Sequence, residues 1–174
     1  NFRRGSRDDL LVSLAGVTTN MVLFILSTLL AIIVGHFLYE PEAMRQLGGM
    51  AFFLDFNSDG FTLQLFPEYV DVIAGVLKAP LLLHVQRFLL HFCMVNLGLS
   101  LFNLLPIPPL DGFHVVNDLL LKGRLQLSGQ VFRFAQVALI VLMFSTNIAG
   151  KVVGAGMDAV QTVVLGGMLA VFGV

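Results

Sequence analysis

The sequence predicts an all-α polytopic membrane protein with about four transmembrane helices. Of its 174 residues, 57% are hydrophobic and 12% are charged, whereas soluble domains carry about 25% charged residues. Residues 10–38 contain no Asp, Glu, Lys or Arg, and about 20 consecutive apolar residues suffice to cross a bilayer. The net charge of −1 does not favour nucleic acid as a partner, so the lipid bilayer is the expected environment.

The apolar runs and the polar segments between them divide the chain into elements of a single membrane domain, residues 1–174. In chain order we predict a basic arm over 1–9, a span over 10–38, an outer loop over 39–69, a re-entrant or interfacial helix over 70–83, a span over 84–105, a segment with three prolines and an aspartate over 106–130, and spans over 130–149 and 152–174.

Two basic segments orient these spans. Cytoplasmic loops carry an excess of Lys and Arg, which places the arm with Arg3, Arg4 and Arg7 in the cytoplasm. After two crossings the chain returns to the same side with Lys122 and Arg124. The acidic loop between the first two spans then lies outside, in a multi-pass protein of the cell membrane.

The outer loop contains D-F-N-S-D-G at residues 55–60, which matches the first half of an EF-hand calcium loop. That loop also needs a bidentate Glu at its twelfth position, where this chain has Phe66. Asn, Asp and Gly are typical of tight turns, and the flanking apolar residues resemble strands. We therefore expect a short β-hairpin in the 40–69 loop rather than a bound cation.

The stretch N-L-L-P-I-P-P-L-D-G at 103–112 interrupts the second span. Pro106 and Pro108 lack amide donors and disfavour helical conformation in the residue before them, which predicts a helix end near Leu105 and an extended stretch before Asp111. Gly112 would let the chain turn. Two interpretations remain open: Asp111 caps the next helix, or its carboxylate faces a cavity at a helix break, where non-helical backbone is tolerated within a membrane protein.

This stretch closely resembles a signature of the site-2 protease family, which comprises intramembrane zinc metalloproteases. The preceding arm and span are similar to a second motif of the family, A-G-x-x-x-N, here Ala15, Gly16 and Asn20, with Val17 in place of the usual proline. The resemblance implies a zinc metalloendopeptidase that hydrolyses peptide bonds of membrane-spanning protein or peptide substrates.

The resemblance also implies a role for each motif residue. Asp111 would be the third protein ligand of zinc, and four residues would position a substrate strand: Asn103, Pro106, Pro108 and Gly112. The other two ligands would be histidines of an H-E-x-x-H helix, whose Glu activates water. No H-E-x-x-H occurs in these 174 residues, so we expect it upstream of residue 1 and expect this chain alone to be inactive.

Three alternatives remain. The chain could be a non-catalytic relative that binds or scaffolds membrane partners, because the H-E-x-x-H motif is missing. It could be a transporter, since such proteins also place carboxylates at broken helices, although no second broken helix is evident. A substitute metal site could also form from Asp111, His114 and His91.

Overall fold

The computed structural model describes residues 2–120, 124, 127–145 and 147–173, and these residues confirm the all-α membrane class. Lys122, which we used to orient the spans, lies outside the described residues. Among the described residues, three helices are long and apolar enough to cross a membrane: Leu11–Leu38, Leu82–Asn103 and Gly150–Phe172. In chain order the helices are α1 (Phe2–Leu38), α2 (Pro41–Leu47), α3 (Ala51–Leu54), α4 (Asp59–Leu65), α5 (Val70–Ile73), α6 (Leu82–Asn103), α7 (Asp111–Leu119), α8 (Gly129–Ser145) and α9 (Ile148–Phe172), with 3₁₀ turns at Pro67–Tyr69 and Ala74–Val76.

The basic arm is part of the first helix. α1 begins at Phe2 and continues to Leu38, because no proline interrupts this stretch and a helix pairs all backbone groups within the apolar segment. The three arginines of the predicted basic arm therefore lie on the first turns of α1.

The fourth predicted span is shorter than the other three. α8 has 17 residues, and its apolar part covers Gly129–Val141. At 1.5 Å per residue the whole helix is about 25 Å long, against a hydrocarbon core of about 30 Å.

The predicted β-hairpin is wrong, because its two arms form helices α3 and α4. The intervening polar residues still make a turn: the Asn57 amide donates to Asp55 Oδ1 at 2.9 Å. Ser58 then caps α4, since its Oγ accepts from the Phe61 amide at 3.1 Å. Asp, Asn and Ser serve helix starts as well as hairpin turns, so the turn signal was correct and the flanking elements were not.

The chain divides into two compact units, residues 1–22 with 96–156, and residues 23–95 with 157–174. The single membrane domain stays a prediction. In the second unit, the short helices pack on segments of α1, α6 and α9 around a core in which the buried rings of Tyr39 and Phe53 stack at 3.8 Å.

Two successive buried hydrogen bonds link residues of this core. The Tyr39 hydroxyl donates to Gln64 Oε1, and Gln64 Nε2 donates to the Phe53 carbonyl. Burial raises the pKa of Tyr39 well above its ordinary value, so the hydroxyl keeps the proton that it donates. The Gln86 side chain is buried near Tyr39, and neither of its polar atoms has a hydrogen-bond partner within the described chain.

Candidate metal and substrate site

The first unit contains the end of α6, the proline segment and α7. α6 ends at Asn103, two residues before the predicted end. The amides of Leu104 and Leu105 still donate to the last helical turn, to Ser100 and Phe102 at 3.2 and 3.1 Å. Pro106 has no amide to continue the pattern, which explains why the helix stops here.

The segment between α6 and α7 consists of tight turns, so the predicted extended stretch is wrong. The Ile107 amide donates to the Leu105 carbonyl at 2.8 Å, and the Leu110 amide donates to the Ile107 carbonyl at 2.8 Å. The second bond closes a turn around Pro108 and Pro109. With three prolines lacking amides, the remaining donors pair locally, and the chain folds on itself.

This pairing changes how the segment could hold a peptide. Every amide donor between 104 and 110 is already used within the chain. The sequence led us to expect that a substrate strand would pair with this segment, but it cannot pair through these amides. The carbonyls of Pro106, Pro108 and Pro109 accept no hydrogen bond from the described residues. The backbone groups that this segment leaves unpaired among the described residues are therefore acceptors and not donors.

Asp111 is the first residue of α7, and Leu110 occupies the N-cap position without a side-chain cap. The interpretation of Asp111 as an N-cap is therefore wrong. The residue is half-buried, and its carboxylate has neither a hydrogen bond nor an ion pair with any residue that the structure describes.

Gly112 is buried and brings α7 against the end of α6. A Cβ at this position would overlap the Leu104 carbonyl and lie 2.5 Å from the Leu105 carbonyl oxygen. Its φ is not positive, so close backbone approach, rather than the predicted conformational freedom, requires glycine here.

The first helix borders the same carboxylate. A Cβ on Gly16 would lie 3.7 Å from Asp111 Oδ2, and Gly16 itself is exposed. The glycine of the motif in the first span thus lies beside the aspartate of the second motif.

Asn103 is half-buried at the last position of α6. Its side-chain amide makes no hydrogen bond within the described residues, so it can donate to a ligand near the proline segment. The sequence motif located this residue correctly at the helix break, but its contact with a substrate stays a prediction.

The histidines do not complete a metal site. His114 packs against the rings of Phe113 and Phe132, at centroid distances of 5.7 and 5.9 Å, and these two rings also contact each other at 6.4 Å. Among the described residues, no three His, Cys, Asp or Glu side chains are grouped to hold a metal, so the substitute site with His91 does not form. Carboxylate oxygen is an accepted zinc ligand, and Asp111 therefore fits zinc as one ligand of a set.

Sequence reasoning missed Ser100, which is fully buried in α6. Its hydroxyl donates to the Val17 carbonyl of α1 at 3.1 Å. The available signal was a hydroxyl within an apolar span, but serine can also bond to its own helix, and no local pattern distinguishes the two.

Comparison with known proteins places the site in context. The model of Peptidase family M50 matches residues 3–146. A relative named "Putative zinc metalloprotease YwhC" from Bacillus subtilis (strain 168) is 31% identical over 78 residues, which cover 43% of this chain and 36% of the relative. The chain thus spans about a third of that curated relative's length in the matched region. No solved structure matches.

Proposed function

The chain belongs to peptidase family M50, the site-2 protease family, and from this premise we propose that it is the C-terminal part of an intramembrane zinc metalloprotease. The family confirms the resemblance carried by residues 103–112. The proposed activity is hydrolysis of peptide bonds in membrane-spanning proteins or peptides.

The unused carboxylate of Asp111 is the observation that carries the proposal. It is half-buried, lies at the helix break and borders the exposed Gly16. We assign it as the third zinc ligand. The remaining ligands and the general base would come from an H-E-x-x-H helix outside residues 1–174, in which two histidines four apart share one helix face.

Zinc bound in such a site would supply Lewis-acid polarisation of the scissile carbonyl and activation of water. The residues of this chain bind and orient the substrate. The Asn103 amide donates to a substrate carbonyl, and the carbonyls of Pro106 and Pro108 accept from substrate amides. Gly112 keeps α7, and with it Asp111, against the end of α6.

The proposed location follows from the basic segments. The arginines at the start of α1 and the region after Asp111 lie on the cytoplasmic side of the cell membrane. A substrate helix must unwind near that side to expose its backbone, since a helix pairs its own amides and carbonyls.

The direct test uses the full-length protein in detergent. Zinc content and cleavage of a membrane-spanning peptide are measured for wild type, Asp111→Ala and Asp118→Ala. Asp118 is the matched control, because it is a half-buried aspartate on the same helix. We expect Asp111→Ala to lose zinc and to reduce cleavage by about 100-fold or more, beyond the loss typical of a residue outside the ligand set.

Asp118→Ala should behave as wild type does. Equal zinc and equal cleavage in the Asp111→Ala protein would refute the ligand assignment. Residues 1–174 expressed alone should cleave nothing, because one carboxylate does not hold a catalytic zinc.

The second candidate is a non-catalytic membrane relative that binds or scaffolds partners. It is favoured by the absence of H-E-x-x-H from residues 1–174. In that case the Asp111→Asn variant of the full-length protein would retain its cellular phenotype, whereas the protease would lose it.

A further inference from the structure

We infer that Ser100 is a positioning residue, which holds α1 against α6 so that Gly16 forms one wall beside the Asp111 carboxylate. The inference rests on the proposed function, in which Asp111 is a zinc ligand. It adds a residue that no motif identifies, on a helix other than the one that carries the ligand.

The hydrogen bond of Ser100 is the first step. Its side chain has no exposed surface, and Oγ donates to the Val17 carbonyl at 3.1 Å across 83 residues of sequence. A helical carbonyl has a second lone pair after its intrahelical bond, so the contact costs α1 no backbone bond. Without water to replace this partner, the bond fixes one register of the two helices.

The register of the two helices at Val17 determines where the neighbouring residue lies relative to the site. Gly16 precedes Val17, and its Cβ position lies 3.7 Å from Asp111 Oδ2. A shift of α1 along or away from α6 at Val17 would move the wall beside the carboxylate by a similar distance.

The same end of α6 also holds the other side of the site. Gly112 packs on the carbonyls of Leu104 and Leu105, four and five residues after Ser100. Asp111 is thus fixed to α6 through its neighbour Gly112, and α1 is fixed to α6 through Ser100. α6 therefore sets the position of both the Asp111 carboxylate and the Gly16 backbone beside it.

The wall is made of backbone, and this leaves room for a substrate chain. Gly16 is exposed, and 3.7 Å is an ordinary van der Waals contact, so a methyl group would fit there. A longer side chain would extend over the carboxylate. We therefore expect Gly16→Ala to retain most cleavage and Gly16→Leu to lose it.

The activity experiment compares Ser100→Ala, Ser100→Thr and Ser27→Ala in the full-length protein. Zinc retention against a chelator and cleavage of a membrane-spanning peptide are measured. We expect about a tenfold loss of both in Ser100→Ala, the lower end for residues that support a metal ligand indirectly. Ser100→Thr should restore both, because it retains the hydroxyl.

Ser27 is the matched control. It is also buried, and its Oγ accepts from the Cys93 thiol of α6 at 3.1 Å. Its replacement by Ala therefore removes another polar contact between the same two helices, away from Asp111. It should leave zinc retention and cleavage unchanged, which separates positioning from general loosening of the helices.

A cross-linking experiment tests the geometry without activity. Gly16→Cys and Asp111→Cys are combined in a background without Cys93 or other cysteines, and treated with a short thiol cross-linker. The pair should cross-link, and adding Ser100→Ala should reduce the yield several-fold. Thr18→Cys with Asp111→Cys should not cross-link, since Thr18 lies about 200° around α1 from Gly16.

These readouts separate two failures. If wild type holds no zinc and cleaves nothing, the proposed function fails, and the cross-linking yields still decide whether Ser100 places Gly16 beside residue 111. If wild type is active and Ser100→Ala matches it in zinc retention, cleavage and cross-linking, the positioning inference is overturned while the protease assignment stands.

Discussion

At the scale of single residues, the backbone of Gly112 determines where Asp111 can lie. The carbonyls at the end of α6 occupy the space that a side chain would need. We expect Gly112→Ala to push α7 away and to lower the free energy of unfolding by about 1–3 kcal/mol, the usual cost of overpacking.

Gly154 in α9 is the matched control for Gly112, because a Cβ there meets nothing within 4 Å. Alanine is a better helix former than glycine by about 1 kcal/mol, so Gly154→Ala should be neutral or stabilising. Thermal unfolding in detergent measures both variants. Equal effects would show that Gly112 is not held by close packing.

Two buried glutamines give a second prediction at this scale. Gln86 has no hydrogen-bond partner for either polar atom in the described chain. Gln161 donates to the Leu54 carbonyl at 2.7 Å and accepts from the Phe56 amide at 3.2 Å. An unsatisfied buried amide costs about 1–3 kcal/mol, and an apolar side chain of similar shape relieves that cost.

We therefore expect Gln86→Met to raise the unfolding temperature and Gln161→Met to lower it, since the second change leaves two backbone groups unpaired. The same thermal unfolding assay measures both. Destabilisation by Gln86→Met to the same extent as by Gln161→Met would contradict this interpretation.

At the scale of elements, α4 depends on a distant side chain for its end. The carbonyls at a helix C-terminus lack intrahelical partners, and Arg87 of α6 donates to two of them, at Gln64 and at Phe66. A cation at this end also complements the helix dipole. These bonds cross more than twenty residues of sequence, which is why the local pattern of the 40–69 loop did not reveal a helix.

Replacing Arg87 with Met should therefore loosen α4. Hydrogen bonds from a charged group contribute about 1.5–3 kcal/mol, so amide exchange in residues 59–66 should accelerate by at least tenfold. Arg45 serves as the control: its ion pair with Glu42 is largely exposed, at 80% and 73% for the two side chains, and such pairs contribute little. Unchanged exchange in the Arg87→Met protein would mean that α4 is held by its apolar contacts alone.

At the scale of the whole molecule, composition was sufficient to predict the membrane class and the three long helices. The proline and aspartate motif located the helix break and Asp111. The tight turns, the bond of Ser100 and the short helices α2, α3 and α4 of the outer loop were not predictable, because each depends on partners remote in sequence or on which donors prolines leave available. The number of crossings also needed the structure, since 17 residues in α8 lie at the lower limit for a span.

The second unit shows the direction of α9. Its last residues lie with the last residues of α1: Phe172 lines a cavity together with His36, Phe37 and Met50. The Lys78 amide donates to the Leu38 carbonyl at 2.8 Å, so α6 begins near the point where α1 ends. Within this unit α1 and α9 therefore run in the same direction, and α6 runs in the opposite one.

This direction predicts three crossings instead of about four. With the arginines of α1 in the cytoplasm, α1 crosses outward, α6 inward and α9 outward, while α8 stays on the cytoplasmic side. Single cysteines at Asn57, Arg124 and Gly173 in a background without other cysteines are exposed to an impermeant thiol reagent on intact cells. We expect labelling at 57 and 173, and labelling at 124 only after permeabilisation. A protected position 173 that labels only after permeabilisation would establish α8 as a fourth span and overturn the parallel arrangement.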